Sequence, residues 1–323
     1  TGDQAALTAV SGTAVLHVSF NAGEEAKDLY FDGNNFSSYN NDVMDLLKQN
    51  GIRVTSSGND RFRLIMTKAS IQNLQLSQGT WEIELNGSNV LEGKGKYVAG
   101  CGLRINDNVS ATIKAGTAPA SLTAHNYPTT GSSDGSCGIQ VAGSLTIESG
   151  TIEATAYAGS NSAPVSGAIL VQSHGALNIS GGSVTAAGTH KNGVYVLGEF
   201  QMTGGSLTVT GSGKPGIENV GSFELSGGTI STKSNSDGIG FLQGHGSVTI
   251  KAKELNTDRL YITGDSSFTV ASVGKVTSES TIINSGTLTN AGEFVSNGPF
   301  EKGKYGTFNN TGTISGSGSL PDD

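Results

Sequence analysis

The sequence predicts an all-β protein: a single-stranded parallel β-helix with three strands per coil, right-handed by the bias of parallel crossovers, and a small N-terminal cap containing one short helix. Three observations carry this expectation. A short phrase returns at a fixed interval, as GGSVTAAG at 181–188, GGSLTVTG at 204–211 and GGTISTKS at 227–234. Apolar residues alternate with polar ones around each copy, which is the period of a half-buried strand. Glycine supplies 48 of 323 residues, about twice its ordinary share of about 7%, and it falls between the alternating runs.

With 6 prolines and 14% charged residues, the composition fits neither a collagen nor a charged disordered chain. No apolar run approaches the ~20 residues of a membrane-spanning helix, so no such segment is expected. Nineteen Lys and Arg face 27 Asp and Glu, a net charge of -8, with no basic cluster to pair with phosphates. Nucleic acid is therefore not an expected partner. The chain begins TGDQAALTAV, without an initiator Met or an apolar signal core, so the expectation is that an export signal has been removed.

Residues 1–80 lack the phrase and form the expected cap. Their convincing helix is NDVMDLLKQNG, at about 41–50, with Asn40 or Asn41 as N-cap, Val43, Leu46 and Leu47 on one face, and Gly51 as the stop. The flanking strands VLHVSF and FRLIMT are expected to cover the open edge and core of the first coil, which would otherwise invite aggregation.

From residue 81 to 323 the chain reads as a solenoid. The repeat aligns as AGSLTIESGTIEATA (142–156), HGALNISGGSVTAAG (174–188), LGEFQMTGGSLTVTG (197–211) and VGSFELSGGTISTKS (220–234). Alternation sends Leu145, Ile147, Leu177, Ile179, Phe200, Met202, Phe223 and Leu225 inward, and Thr146, Asn178, Gln201 and Glu224 outward. A Ser-Gly or Gly-Gly corner follows, since Gly takes positive φ without steric penalty. A second strand then places Ile152, Val184, Leu207 and Ile230 inward. A third short strand opens each unit, as GLRI at 102, GIQV at 138, GAILV at 167, GVYV at 193, GIEN at 216 and GIGF at 238, with Ile139, Ile169, Val194, Ile217 and Ile239 in one internal column. One unit cannot bury its own apolar face, so units must stack.

From about residue 276 the spacing tightens. Gly286, Gly292 and Gly298 are six apart, as are Leu288, Phe294 and Phe300, and Ile314 and Leu320 resume the interval. This predicts coils with minimal turns. The hexapeptide helix of acyltransferases has a similar period, but it places Gly next to the aliphatic residue, and this segment has no His.

Cys101 and Cys137 each precede the Gly that opens a third strand, as CGLRI and CGIQV. Stacked strands lie ~4.8 Å apart, within the range of disulfide Cα separations, so the register makes the two neighbours that either bridge adjacent coils or stay as reduced, buried small residues.

Chemistry-bearing motifs are sparse. His174 and His245 share a turn position but stand three units, or ~14 Å, apart, too far for one ion, and no metal or other cofactor is expected. The GxG triplets are turns of the repeat rather than nucleotide loops. Polysaccharide lyases and hydrolases built on parallel β-helices need clustered carboxylates, or carboxylates with a basic residue. Here Glu148, Glu153, Glu218 and Glu224 are scattered, and Asp134, Glu218 and Asp237 are the catalytic candidates for that alternative. The variable loops are 125–136, 157–166, 188–192, 211–215 and 234–237, expected along one edge of the stack. Insertions on one face often mark a binding face. Tyr127, Tyr157, His190 and Lys191 fall in these loops, with Tyr195 outward nearby. Aromatic faces among hydroxyl and amide groups suit sugars.

The segments LNGSNVLEG (85–93), INDNVSATIKAG (105–116) and SGTIEATA (149–156) resemble the repetitive β-helical surface proteins of gut and other host-associated bacteria, described as carbohydrate-binding-domain proteins or adhesins. INSGTLTNAGEF (283–294) and FNNTGTISGSG (308–318) are similar to stalk repeats of exported bacterial β-helices. The resemblance spans about residues 81–320. It implies an extracellular or cell-surface protein, lipid-anchored through a removed N-terminal signal, and it supplies no catalytic residues. The expected function is non-catalytic glycan binding or adhesion, with polysaccharide or glycoprotein glycans as partners. A structural spacer is the first alternative and a polysaccharide lyase or glycoside hydrolase the second.

Overall fold

The structure, a computed structural model, describes residues 14–19, 27–31, 41–56, 61–93, 101–126, 137–157, 166–235 and 239–318. The protein is all-β with long parallel sheets, and its described residues contain one helix, Asn41–Gln49. That helix ends as its sequence requires: Gly51 takes φ +76°, and its amide donates to the Lys48 carbonyl at 3.1 Å. Leu47 is buried and Leu46 packs against the core. Asn40 and the side chains of Asn41 and Val43 lie outside the described residues.

One sheet runs the length of the molecule. At its N-terminal end Ala14–Ser19 lies antiparallel to both Lys27–Phe31 and Asn73–Gln78. Every later neighbour is parallel, through Leu103–Ile105, Ile139–Val141, Gly167–Val171, Asn192–Val196, Ile217–Asn219, Phe241–Gln243, Leu260–Ile262 and Ile282–Asn284 to Phe300–Lys302. The other strands form two further parallel ladders joined along bent strands. Glu199–Gly211, for example, pairs with Ala176–Ile179 through its first half and with Ser183–Thr189 through its second. The bend falls at the glycine pair, where Gly182, Gly205 and Gly228 have φ of +76°, +76° and +81°.

Registers in these ladders follow the aligned phrase. Leu145 pairs with Leu177, Leu177 with Phe200 and Phe200 with Phe223, while Ile152 pairs with Val184, Val184 with Leu207 and Leu207 with Ile230. All are buried in one continuous apolar cluster drawn from the three ladders, an arrangement compatible with a β-helix. Within it the Phe200 and Phe223 rings stack with centroids 4.4 Å apart, and Phe223 meets Phe241 of the long sheet edge-on at 5.3 Å.

Two expectations need correction. Parallel pairing begins before residue 81, because Arg61–Thr67 pairs in parallel with Thr80–Leu91. FRLIMT is thus part of a ladder, and the antiparallel covering on that ladder comes from Ile52–Ser56. The second concerns GIGF, where Phe241 rather than Ile239 pairs with Ile217. Phe241 is the larger apolar side chain, and it fills the space between Phe223 and Phe268.

The six-residue interval near the C-terminus resolves into three faces. Leu288 pairs with Phe268, Phe294 with Val276 and Phe300 with Ile282, so each successive apolar residue sits on a different ladder. Corners here use asparagine. Asn284 donates to the Thr307 carbonyl at 2.8 Å, and buried Asn290 donates to Asn310 Oδ1 at 2.8 Å and to the Thr313 carbonyl at 3.1 Å.

Cys101 and Cys137 are stacked and disulfide-bonded, with Cα atoms 4.8 Å apart. The bond closes a separation of 36 residues, so reduction is expected to lower stability by about 2–4 kcal/mol, read as a fall in the thermal unfolding midpoint with reductant. At the corners, a Cβ on Gly205 would lie 2.6 Å from the Gly182 carbonyl oxygen on a left-handed backbone. Gly205→Ala should destabilise by about 1–3 kcal/mol in urea unfolding. Gly264→Ala, whose added carbon would meet only the Ser285 carbonyl oxygen at 3.8 Å, should stay within about 1 kcal/mol of the parent.

Candidate functional site

Outward residues of a sheet with nothing over it stay wet, so burial on an outer face signals a covered or constructed site. On the outer face of the long sheet, register places Arg104, Gln140, Leu170, Tyr195, Glu218, Leu242 and Tyr261 in one column. Gln140, Leu170 and Tyr195 are buried. Leu170 and Tyr195 form a small cluster with the disulfide, separate from the main core, against which Leu197 and Val220 pack.

Tyr195 opposes Glu218, and Asn192 Nδ2 donates to Glu218 Oε2 at 3.0 Å. Asn192 Oδ1 is buried without a hydrogen-bond partner. Burial pushes the Glu218 carboxyl up from the usual carboxylate range, against the opposing pulls of the Asn192 hydrogen bond and the nearby Lys214 charge. Burial, with the Glu218 charge second, likewise pushes the Tyr195 phenol up.

Lys191 is 2% exposed. Burial and the neighbouring Lys214 charge both push its ammonium group down. The two lysines hold equivalent places in consecutive units, between the paired registers Ala187 with Thr210 and Val194 with Ile217. Their loops also share backbone geometry. A Cβ on Gly188 would strike the Lys191 and Asn192 carbonyls, and one on Gly211 would strike those of Lys214 and Pro215. His190 has φ +55° where the next unit has Gly213 at φ +72°. The second loop is tied down by Ser234, whose hydroxyl donates to the Lys214 carbonyl at 3.0 Å and whose amide donates to Asp258 Oδ2 at 2.9 Å.

The structure therefore brings together Tyr195 and Glu218, which sequence reasoning had divided between binding and catalysis, with Asn192 bonded to the Glu218 carboxylate, while Lys191 lies near Lys214. Lys191 is not a protruding loop residue, since it is almost wholly buried. Tyr195 points outward as expected but is covered. Tyr157 is 49% exposed and opposes Thr189, next to exposed His190. Tyr127, Asp134 and Asp237 lie outside the described residues. Glu224 stands apart, ion-paired with Lys251 at 2.7 Å.

Sequence reasoning missed Asn192 and Lys214. The signal was present, because GTHKN and GSGKP align over their first Gly and their Lys at the repeat interval. Among the described residues no group of three or more His, Cys, Asp or Glu gathers as metal ligands, and no helix is long and apolar enough to cross a membrane. Comparison with known families, with curated proteins and with solved structures finds no match to this chain.

Raised in the folded state, the Glu218 carboxyl holds its proton to higher pH than in the unfolded chain. Its contribution to stability is therefore full below the ordinary carboxylate range and is lost as pH rises through the folded value. The denaturation midpoint of Glu218→Gln, followed across that window, should fall less with rising pH than that of the parent protein.

Proposed function

We propose that the chain is a right-handed parallel β-helix of an exported bacterial surface protein and that it binds glycans on the outer face of its long sheet. The observation that carries this reading is the constructed cluster of Lys191, Asn192, Tyr195 and Glu218, with exposed Tyr157 and His190 at its rim. Sugars present C–H faces and hydroxyl edges. An exposed ring beside an amide, a carboxyl and ammonium groups offers a partner for each.

The column around Glu218 favours binding over two-carboxylate hydrolysis, since its neighbours on either side are Tyr195 and Leu242. In this reading the loop-bearing middle of the chain holds ligand. The tight C-terminal units act as a spacer, with Thr287–Asn290 and Glu293–Ser296 each only four residues long.

Binding of the labelled protein to a panel of host mucin, plant and bacterial polysaccharides tests the reading. A saturable hit is expected, weakened about three- to tenfold by Tyr157→Ala through loss of ring contact. A blank across the panel would move the assignment to a spacer.

A further inference from the structure

Three outward lysines of this protein face carboxylates. Lys114 meets Glu82 at 3.1 Å and Glu148 at 3.5 Å, Lys251 meets Glu224 at 2.7 Å, and Lys275 meets Glu254 at 3.5 Å and Glu293 at 3.6 Å. Glu82, Glu224, Glu254 and Glu293 lie on paired neighbouring strands, and Glu148 directly follows one, Ser144–Ile147. At these three lysines stacked units thus oppose unlike charges, as cross-strand energetics favour.

Lys191 and Lys214 differ. They occupy one position in consecutive units, so like charge is stacked on like charge. Lys191 is almost wholly buried, and none of the ion pairs or hydrogen bonds among the described residues engages its ammonium group. The nearby carboxyl, Glu218, accepts a hydrogen bond from Asn192 and feels the Lys214 charge, whereas the charge acting on Lys191 is that of Lys214. Two stacked ammonium groups with no carboxylate between them repel each other, and an anion arriving beside them would relieve that repulsion.

We propose that Lys191 and Lys214 form a subsite for the anionic substituent of an acidic saccharide, a sugar carboxylate or sulfate, with Asn192 Oδ1 accepting a neighbouring sugar hydroxyl. This deepens the glycan-binding reading and rests on it. Two lysines act as point charges without a fixed fork, so the subsite selects for charge more than for the shape of the anion. Asn192 Oδ1, buried and unpartnered, is an acceptor that the saccharide's hydroxyl donors would satisfy.

The test compares oligogalacturonate with its fully methyl-esterified counterpart, which keeps the sugar and removes the charge, and dextran sulfate with dextran. Each is titrated against the parent protein and against Lys191→Met and Lys214→Met. Methionine keeps an unbranched apolar stem, so Lys191→Met should leave the thermal midpoint unchanged or raised. Support is an anionic form bound at least tenfold more tightly than its neutral partner, with each substitution removing most of that preference. A preference seen only in the dextran pair identifies sulfate, and one seen only in the galacturonate pair identifies carboxylate. Equal binding of charged and neutral forms overturns the subsite and leaves the glycan reading standing, as does full preference retained in both variants. Binding of none of the four probes, or of any glycan on the wider panel, overturns the subsite and the reading together.

Discussion

The in-register parallel hydrogen-bond ladder is the constraint from which the rest of the structure follows. Each strand's backbone groups are satisfied by the units on either side, at the ~4.8 Å spacing of a sheet, and the Cys101 and Cys137 Cα atoms sit at that separation. Once the spacing is fixed, a residue's neighbours above and below are decided by the repeat alone. Like side chains then stack, which favours Leu on Leu and Phe on Phe and penalises charge on charge unless the sign alternates. Lys114 between Glu82 and Glu148, and Lys275 between Glu254 and Glu293, show alternation at work on the wet face. Exposed pairs of this kind contribute little to stability. Their role is to avoid a like-charge column more than to hold the fold.

The same spacing dictates the corners. Backbones of successive units approach so closely there that an added Cβ meets a carbonyl, as at Gly182, Gly205 and Gly228, whose left-handed φ adds a second reason for glycine. Near the C-terminus, where turns shorten, Asn284 and Asn290 do related work with side-chain amides that bond to main chain in the next unit. A corner either gives its space to the backbone or fills it with a group that satisfies the backbone.

Because register is set by the repeat, much of the fold was legible in the chain. The columns Leu145 to Phe223 and Ile152 to Ile230, the corner glycines and the adjacency of the two cysteines all follow from aligning one phrase. What escaped lay where the phrase is absent or interrupted. FRLIMT carries no glycine pair, so its place in a ladder showed only through pairing with Thr80–Leu91. GIGF matches the third-strand motif by letter, yet the larger apolar volume of Phe241 decides which residue faces inward. The site was half legible for a similar reason. Alternation correctly sent Tyr195 outward, but alternation says nothing about what lies over an outer face, and so it could not foresee that Tyr195 and Lys191 are covered.

The charge arrangement at Lys191 and Lys214 contrasts with that at Lys114, Lys251 and Lys275, which face carboxylates. A stack of near-identical units copies whatever stands at a position into the next unit, and a copied lysine would by default generate a repulsive pair. At those three lysines, carboxylates one unit away take the place of a second cation. Here the nearby acid, Glu218, is half-buried and hydrogen-bonded to Asn192, and burial raises its carboxyl above the usual range against the pull of the Lys214 charge. Packing does not require this, since an apolar side chain of similar length would fill the same space without placing one cation over another. An arrangement that is unfavourable in the free protein and would be relieved by an anion is what differential binding demands. In the proposed reading, a ligand that carries an anion relieves the repulsion between the two lysines, and one without that charge does not.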